Sequence, residues 1–310
     1  MLTILTIIFP IFLLIFCGWF VRRTNLVGKA ATTELNKFVV LLALPALLFD
    51  IVANAQWQQL WQPGFVVLFT FSTFVIFLII ITFYYLKSKR LASATMLGLN
   101  ATYANTGFIG FPLVIAVVGE DAKPLVLIAT LITACALFAV AIFLLEVNKK
   151  NTASNQPQTS ILLRLMKNPI LMSPVCAGIF PLTGLQLPEA VHTSLQLLGA
   201  AAAPCALITI GLFLAEPRSS RGFSPSGIYI VLTKLVIHPA IVILLAHLCF
   251  DLSPVTIYCA VLLAALPTGT GPFMLAEQYG TEAPITAESI LLSTLLAPAT
   301  LAGTIMFFSP

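Results

Sequence analysis

The sequence predicts an all-helical integral membrane protein: ten transmembrane helices in two five-helix halves of opposite orientation. Three observations predict it: scarcity of charge, alternation of the basic residues along the chain, and matched helix interruptions in the two halves. Of 310 residues, 59% are hydrophobic and 8% charged, with a mean hydropathy of +1.05. Soluble domains carry about 25% charged residues, so this chain cannot cover a water-facing surface. A soluble enzyme, a nucleic-acid-binding protein and a disordered chain are all excluded.

A hydrocarbon core of about 30 Å needs roughly 20 apolar residues per helix. Candidate spans lie at 2–21, 38–54, 64–86, 92–118, 124–147, 168–184, 191–215, 225–249, 254–278 and 284–308. The first has no basic residue before it and Arg22-Arg23 after it, the reverse of a signal peptide, so it reads as a retained helix. The sixth is short and flanked by proline. With ten spans, the loops after helices 1, 3, 5 and 7 share one side. They hold Arg22, Arg23, Lys29, Lys37, Lys87, Lys89, Arg90, Lys149, Lys150, Arg164, Lys167, Arg218 and Arg221, thirteen of the fifteen basic residues. The opposite loops hold only Lys123, and Lys234 lies inside the eighth span. Positive-inside bias then puts both termini on the non-cytoplasmic side.

The polar stretch from Asn148 to Lys167 divides the chain into a first half, 1–150, a cytoplasmic linker, 151–167, and a second half, 168–310. Five helices per half is odd, so similarity between the halves means opposite membrane orientations. Helix 2 carries Leu44-Pro45-Ala46-Leu47 and helix 7 carries Ala203-Pro204-Cys205-Ala206-Leu207. Helix 4 carries Asn105-Thr106-Gly107-Phe108-Ile109-Gly110-Phe111-Pro112, and helix 9 Pro267-Thr268-Gly269-Thr270-Gly271-Pro272. Pro45 precedes Gly107 by 62 residues and Pro204 precedes Pro267 by 63. The second and fourth helices of each half are therefore expected to be interrupted at matching places, a pattern that points to a transporter site at a repeat interface.

Unwound backbone at membrane depth must be buried in protein or line a wet cavity. It exposes half-helix N-termini, whose free N–H groups and positive dipole favour an anion. Crossing of helices 4 and 9 at their breaks would aim N–H groups near Phe111 to Leu113 and Phe273 to Met274 at one point, a carboxylate site.

These motifs resemble the auxin efflux carrier family, whose bacterial members include malonate and malate carriers. The matching stretches are Leu44 to Phe49, Asn105 to Leu113, Lys167-Asn168-Pro169, Lys234 to Pro239 and Ala265 to Tyr279. The resemblance spans both halves. It implies an inverted-repeat fold like that of bile-acid symporters and sodium/proton antiporters, in a bacterial inner membrane. Helices 1, 2, 6 and 7 would form a scaffold, often dimeric, and helices 3–5 and 8–10 a moving transport domain with helices 4 and 9 crossing. Plant members that carry auxin often have a long loop between helices 5 and 6, here about twenty residues. They often have Gln after the Leu-Pro of helix 9, where this chain has Thr268, which points away from an indole-type substrate.

The expected substrate-binding residues are Asn105, Thr106, Gly107, Pro112, Thr268, Gly269, Thr270, Gly271 and Pro272. The Asn105 amide can donate to a carboxylate; the threonine hydroxyls either contact substrate or bond their own backbone. Lys234 lies nine residues past Pro225, about 13.5 Å along a helix, close to mid-membrane. A lysine there needs a partner inside the protein: either it attracts the substrate anion or it bridges carbonyls at a broken helix end. His238, at i+4, either shuttles a proton or is a satisfied helix-end histidine. Asp50, in the outer half of helix 2, either titrates at an outer vestibule or snorkels to water.

The sequence thus predicts a secondary carrier of a small organic anion, with a coupling proton or sodium ion open. Known antiporters of the implied fold place an aspartate or a carboxylate pair in helix 5, which here has no acid before Glu146; antiport is therefore not the leading expectation. No GxxxxGK[ST] loop or HExxH pattern occurs, and Asp50, Asp121 and Asp251 fall near outer boundaries, so neither an ATP-driven pump nor an intramembrane enzyme is expected. The six cysteines lack metal-ligand spacing, and no metal or cofactor is expected.

Overall fold

The fold is built from helices, as the long continuous apolar stretches require. The computed structural model describes residues 2–308 except 57, 59, 153–160 and 217–223; Arg218 and Arg221 of the basic set lie outside the described residues. Ten successive elements are distinguished: α1 (Leu2–Arg23), α2 (Ala31–Ala53), α3 (Pro63–Ser88), α4 in two pieces (Leu91–Thr102 and Thr106–Val117), α5 (Glu120–Lys149), α6 (Pro169–Thr183), α7 (Glu189–Leu214), α8 (Pro225–Cys249), α9 in two pieces (Pro254–Ala264 and Gly271–Tyr279) and α10 (Ala283–Phe308). Within the segment joining α5 to α6, Ile161–Met166 is a short helix. Among the described residues, six helices are long and apolar enough to cross a membrane: α2, α3, α5, α7, α8 and α10. The pieces of α4 and α9 are shorter because each helix is broken, and α6 is shorter because it turns at Gly178. Large apolar side chains such as Phe9, Phe71, Phe83 and Leu182 stand exposed, as an integral membrane protein facing lipid requires.

Proline is absorbed in two different ways. Helix 2 was expected to be interrupted at Pro45 and helix 7 at Pro204; neither is. In α2 the turn Val39–Ala43 widens to π geometry, and Pro45 follows two residues later. The same offset recurs at Pro112 after Thr106–Gly110 and at Pro239 after Thr233–Ile237. A proline clashes with the carbonyl four residues back and cannot donate to it; a wider turn removes the conflict and lets the helix continue. Pro204 sits inside an unbroken α7.

Helix pairs pack closely. α1 lies directly on α7 because glycine lets the backbones touch. A Cβ on Gly18 would stand 2.2 Å from the Ile208 carbonyl oxygen, and one on Gly211 2.0 Å from that of Ile15. α6 packs on α2, where the Ser173 hydroxyl donates to the Pro45 carbonyl. α3 packs on the first piece of α4 and α8 on the first piece of α9. The core is densest at the end of that piece of α9: Cys259 to Leu266 are all buried, as are Phe273 to Ala276.

Candidate functional site

Helix α4 stops at Thr102 because the chain turns extended at Tyr103 (φ −73°, ψ 94°). Helix α9 stops at Ala264 and resumes at Gly271. The two interruptions meet. Ala104 and Thr268 form an antiparallel bridge, the Asn105 N–H donates to the Pro267 carbonyl (2.9 Å), and the Gly269 N–H to the Tyr103 carbonyl (3.0 Å). Backbone polar groups freed by one break are thus satisfied by the other, which is what makes unwound chain tolerable in a buried, apolar setting.

Both second pieces begin beside one cavity of about 240 Å³. That is somewhat below the usual range of ligand pockets, about 300 to 1,000 Å³, and suits a small molecule. Asn105, Thr106, Gly107, Gly269, Thr270 and Gly271 line it; Pro112, Thr268 and Pro272 do not. The Thr268 hydroxyl donates to the Asn100 carbonyl (2.8 Å) and its N–H to Ser293 (3.0 Å), so it fixes the crossing. Thr106 Oγ1 lies 3.3 Å from Thr133 Oγ1. The side chains of Asn105 and Thr270 are buried and make no hydrogen bond among the described residues.

The donors differ from those expected near Phe111 to Leu113 and Phe273 to Met274. Helix α4 resumes at Thr106, and Phe111 already donates to the Thr106 carbonyl; Phe273 and Met274 already donate to that of Thr270. The free first-turn amides are instead those of Gly107, Phe108 and Gly271. The opposite wall is apolar: Leu44, Leu47, Leu48 and Ile51 of α2, with Ala202 and Ala206 of α7. Among the described residues, no charged side chain lines the cavity.

Lys234, His238 and Asp50 all stand away from it. Lys234 is fully buried in the π turn of α8, and its Nζ donates to the carbonyl of Ala264 (2.5 Å), the last residue of the first piece of α9. His238 Nε2 lies 3.3 Å from Thr73 Oγ1, and its Nδ1 has no partner among the described residues. Asp50 Oδ1 lies 3.2 Å from His192 Nε2 and accepts from Asn54 (2.9 Å), tying α2 to α7. Sequence reasoning missed Tyr103, which lines the cavity and whose ring packs on Phe138 at 5.5 Å between centroids. Its one signal is an aromatic residue two positions before the Asn-Thr-Gly break.

A lipid-facing helical protein whose two broken helices meet at a small internal cavity has the build of a membrane transporter. The family model described as "Membrane transport protein" matches residues 3–305, and the chain belongs to this family, that of the auxin efflux carriers. It is 32% identical over 301 residues to a Rhizobium meliloti protein named "Putative malonate transporter", covering 96% of this chain and 93% of that one. It is 24% identical to the Escherichia coli "Uncharacterized transporter YfdV", covering 92% and 91% of the two chains. It is also 24% identical to "Auxin efflux carrier component 8" of Arabidopsis thaliana, covering 91% and 90%. The protein is a membrane transporter and not an enzyme.

Proposed function

We propose that the protein is a secondary carrier for a small organic anion, a carboxylate of malonate or malate size, working by elevator-type alternating access. One observation carries this reading: the first-turn amides of two half-helices and the unpartnered Asn105 amide converge on one uncharged cavity. Helix N-termini stabilise an anion through free N–H groups and aligned dipoles without a fixed cation. Relatives named for malonate and auxin, both carboxylates, agree with it.

Elevator motion is supported by the division of labour across the cavity. Polar groups come from α4, α5 and α9, whereas α2 and α7 contribute an apolar wall. A substrate held wholly by one bundle can slide past a smooth wall without breaking hydrogen bonds to it. In this reading ten helices cross the membrane as inverted repeats, 1–150 and 168–310, joined by the linker 151–167. The reciprocal packing of α1 on α7 and of α6 on α2 supports that symmetry. Both termini face the non-cytoplasmic side of a bacterial inner membrane, and the scaffold of α1, α2, α6 and α7 forms a homodimer.

The test is uptake of radiolabelled malonate, malate and indole acids into proteoliposomes, with and without sodium and a pH gradient. Saturable uptake of the short carboxylates supports the reading, and the gradient arms assign the coupling ion. Absence of carboxylate binding and transport in every arm refutes it.

A further inference from the structure

We infer that Tyr103 is a specificity-determining residue that donates its phenol hydrogen bond to the substrate and selects short dicarboxylates over monocarboxylates. The inference rests on the carboxylate-carrier reading and names the group that reads the second carboxylate.

The main chain of Tyr103 is locked on both sides. Its N–H donates to the Leu99 carbonyl (2.8 Å) and its carbonyl accepts from Gly269. Its ring lies against two glycines of the facing break. A Cβ on Gly269 would stand 2.9 Å from Tyr103 Cε1, and one on Gly271 would stand 2.9 Å from Cζ and from the hydroxyl oxygen. Those positions hold glycine in the run Gly269-Thr270-Gly271 because the ring occupies the space a side chain would need. Phe138 of α5 also packs against the ring, which is thus held between α5 and the facing break.

The hydroxyl, by contrast, donates to no group among the described residues. The residue is buried and lines the cavity, yet its oxygen makes no hydrogen bond among the described residues. Buried tyrosine hydroxyls ordinarily find a partner. This one lies beside Gly271, whose amide opens the second piece of α9. A carboxylate received by that amide can also accept from the phenol. The other break offers a comparable pair, the Asn105 side chain and the Gly107 amide. Two donor pairs, one per break, suit a molecule with two carboxylates a few bonds apart. A rigid buried donor rejects an analogue lacking its acceptor, because the donor is then left unpaired.

Tyr103→Phe removes the hydroxyl and keeps every ring contact. The purified wild type and variant are titrated with malonate and with propionate by calorimetry, with melting in the absence of ligand as a check on folding. Expected are at least tenfold tighter binding of malonate by the wild type, an unchanged melting temperature, a roughly tenfold loss of malonate affinity in the variant and unchanged propionate binding. A variant that keeps its preference for malonate overturns the role of Tyr103 and leaves the carrier reading standing. So does a wild type that binds both ligands equally, or a variant that loses both in proportion. A wild type that binds neither these nor any other carboxylate overturns both readings.

Discussion

Asn105 is tied to the crossing by its main chain, through the bond to Pro267, while its side chain has no hydrogen-bond partner among the described residues. Removing that side chain therefore costs the fold little and the substrate much. A hydrogen bond to a charged group contributes about 1.5–3 kcal/mol, so Asn105→Ala should weaken carboxylate binding roughly ten- to hundred-fold with the melting temperature unchanged. Calorimetric titration beside a thermal melt checks both halves. Lys234 should behave in the opposite way. It does not line the cavity, and its amine closes the carbonyl end of the first piece of α9. Lys234→Met keeps most of the volume but leaves the buried Ala264 carbonyl unsatisfied, a cost of about 1–3 kcal/mol. The expected result is a lower melting temperature with substrate affinity within about twofold of wild type; a large loss of affinity at unchanged stability would assign Lys234 to the substrate instead. The sequence identified Lys234 as a cation needing an internal partner and offered the carbonyls of a broken helix end as one of two; which carbonyl it meets, thirty residues away, no side-chain pattern reveals.

Helices obey glycine and proline only through what surrounds them. The breaks in α4 and α9 were legible because several such residues cluster beside Asn or Thr within a few positions. The continuity of α2 and α7 was not, because a single proline is absorbed by a π turn or tolerated in a long helix. The point at which α4 resumes was misplaced by five residues for the same reason: the π turn Thr106–Gly110 keeps the glycines helical. Tyr103 was illegible because its position depends on glycines 166 and 168 residues further along the chain. The α1–α7 contact yields the prediction at this scale. A Cβ on Gly211 would meet the Ile15 carbonyl oxygen at 2.0 Å and the Trp19 nitrogen at 2.7 Å, both backbone atoms that no rotamer change can move. Close helix pairs in membranes depend on such small residues. Gly211→Ala should force α1 off α7 at an overpacking cost of about 1–3 kcal/mol, seen as a lower melting temperature in detergent. Gly303→Ala, on α10 with nothing within 4 Å of the added carbon, should leave the melt unchanged.

For the whole molecule, the proposed mechanism has an electrical consequence. A fixed charge that rides on the moving bundle, Lys234 included, goes out and comes back within one cycle and contributes nothing to net charge movement. With no coupled cation, each cycle then transfers only the charge of the substrate. One elementary charge crossing 100 mV corresponds to about 2.3 kcal/mol, or roughly a fiftyfold concentration ratio for a monovalent anion. An interior-negative membrane would therefore drive the anion outward, and an interior-positive one would drive uptake. Proteoliposomes clamped with potassium and valinomycin test this directly: uptake of labelled malonate should rise as the interior is made positive, with no requirement for sodium or a pH gradient. A plateau accumulation indifferent to the clamp would mean that compensating cations travel with the anion, and the gradient on which that accumulation then depends would identify them.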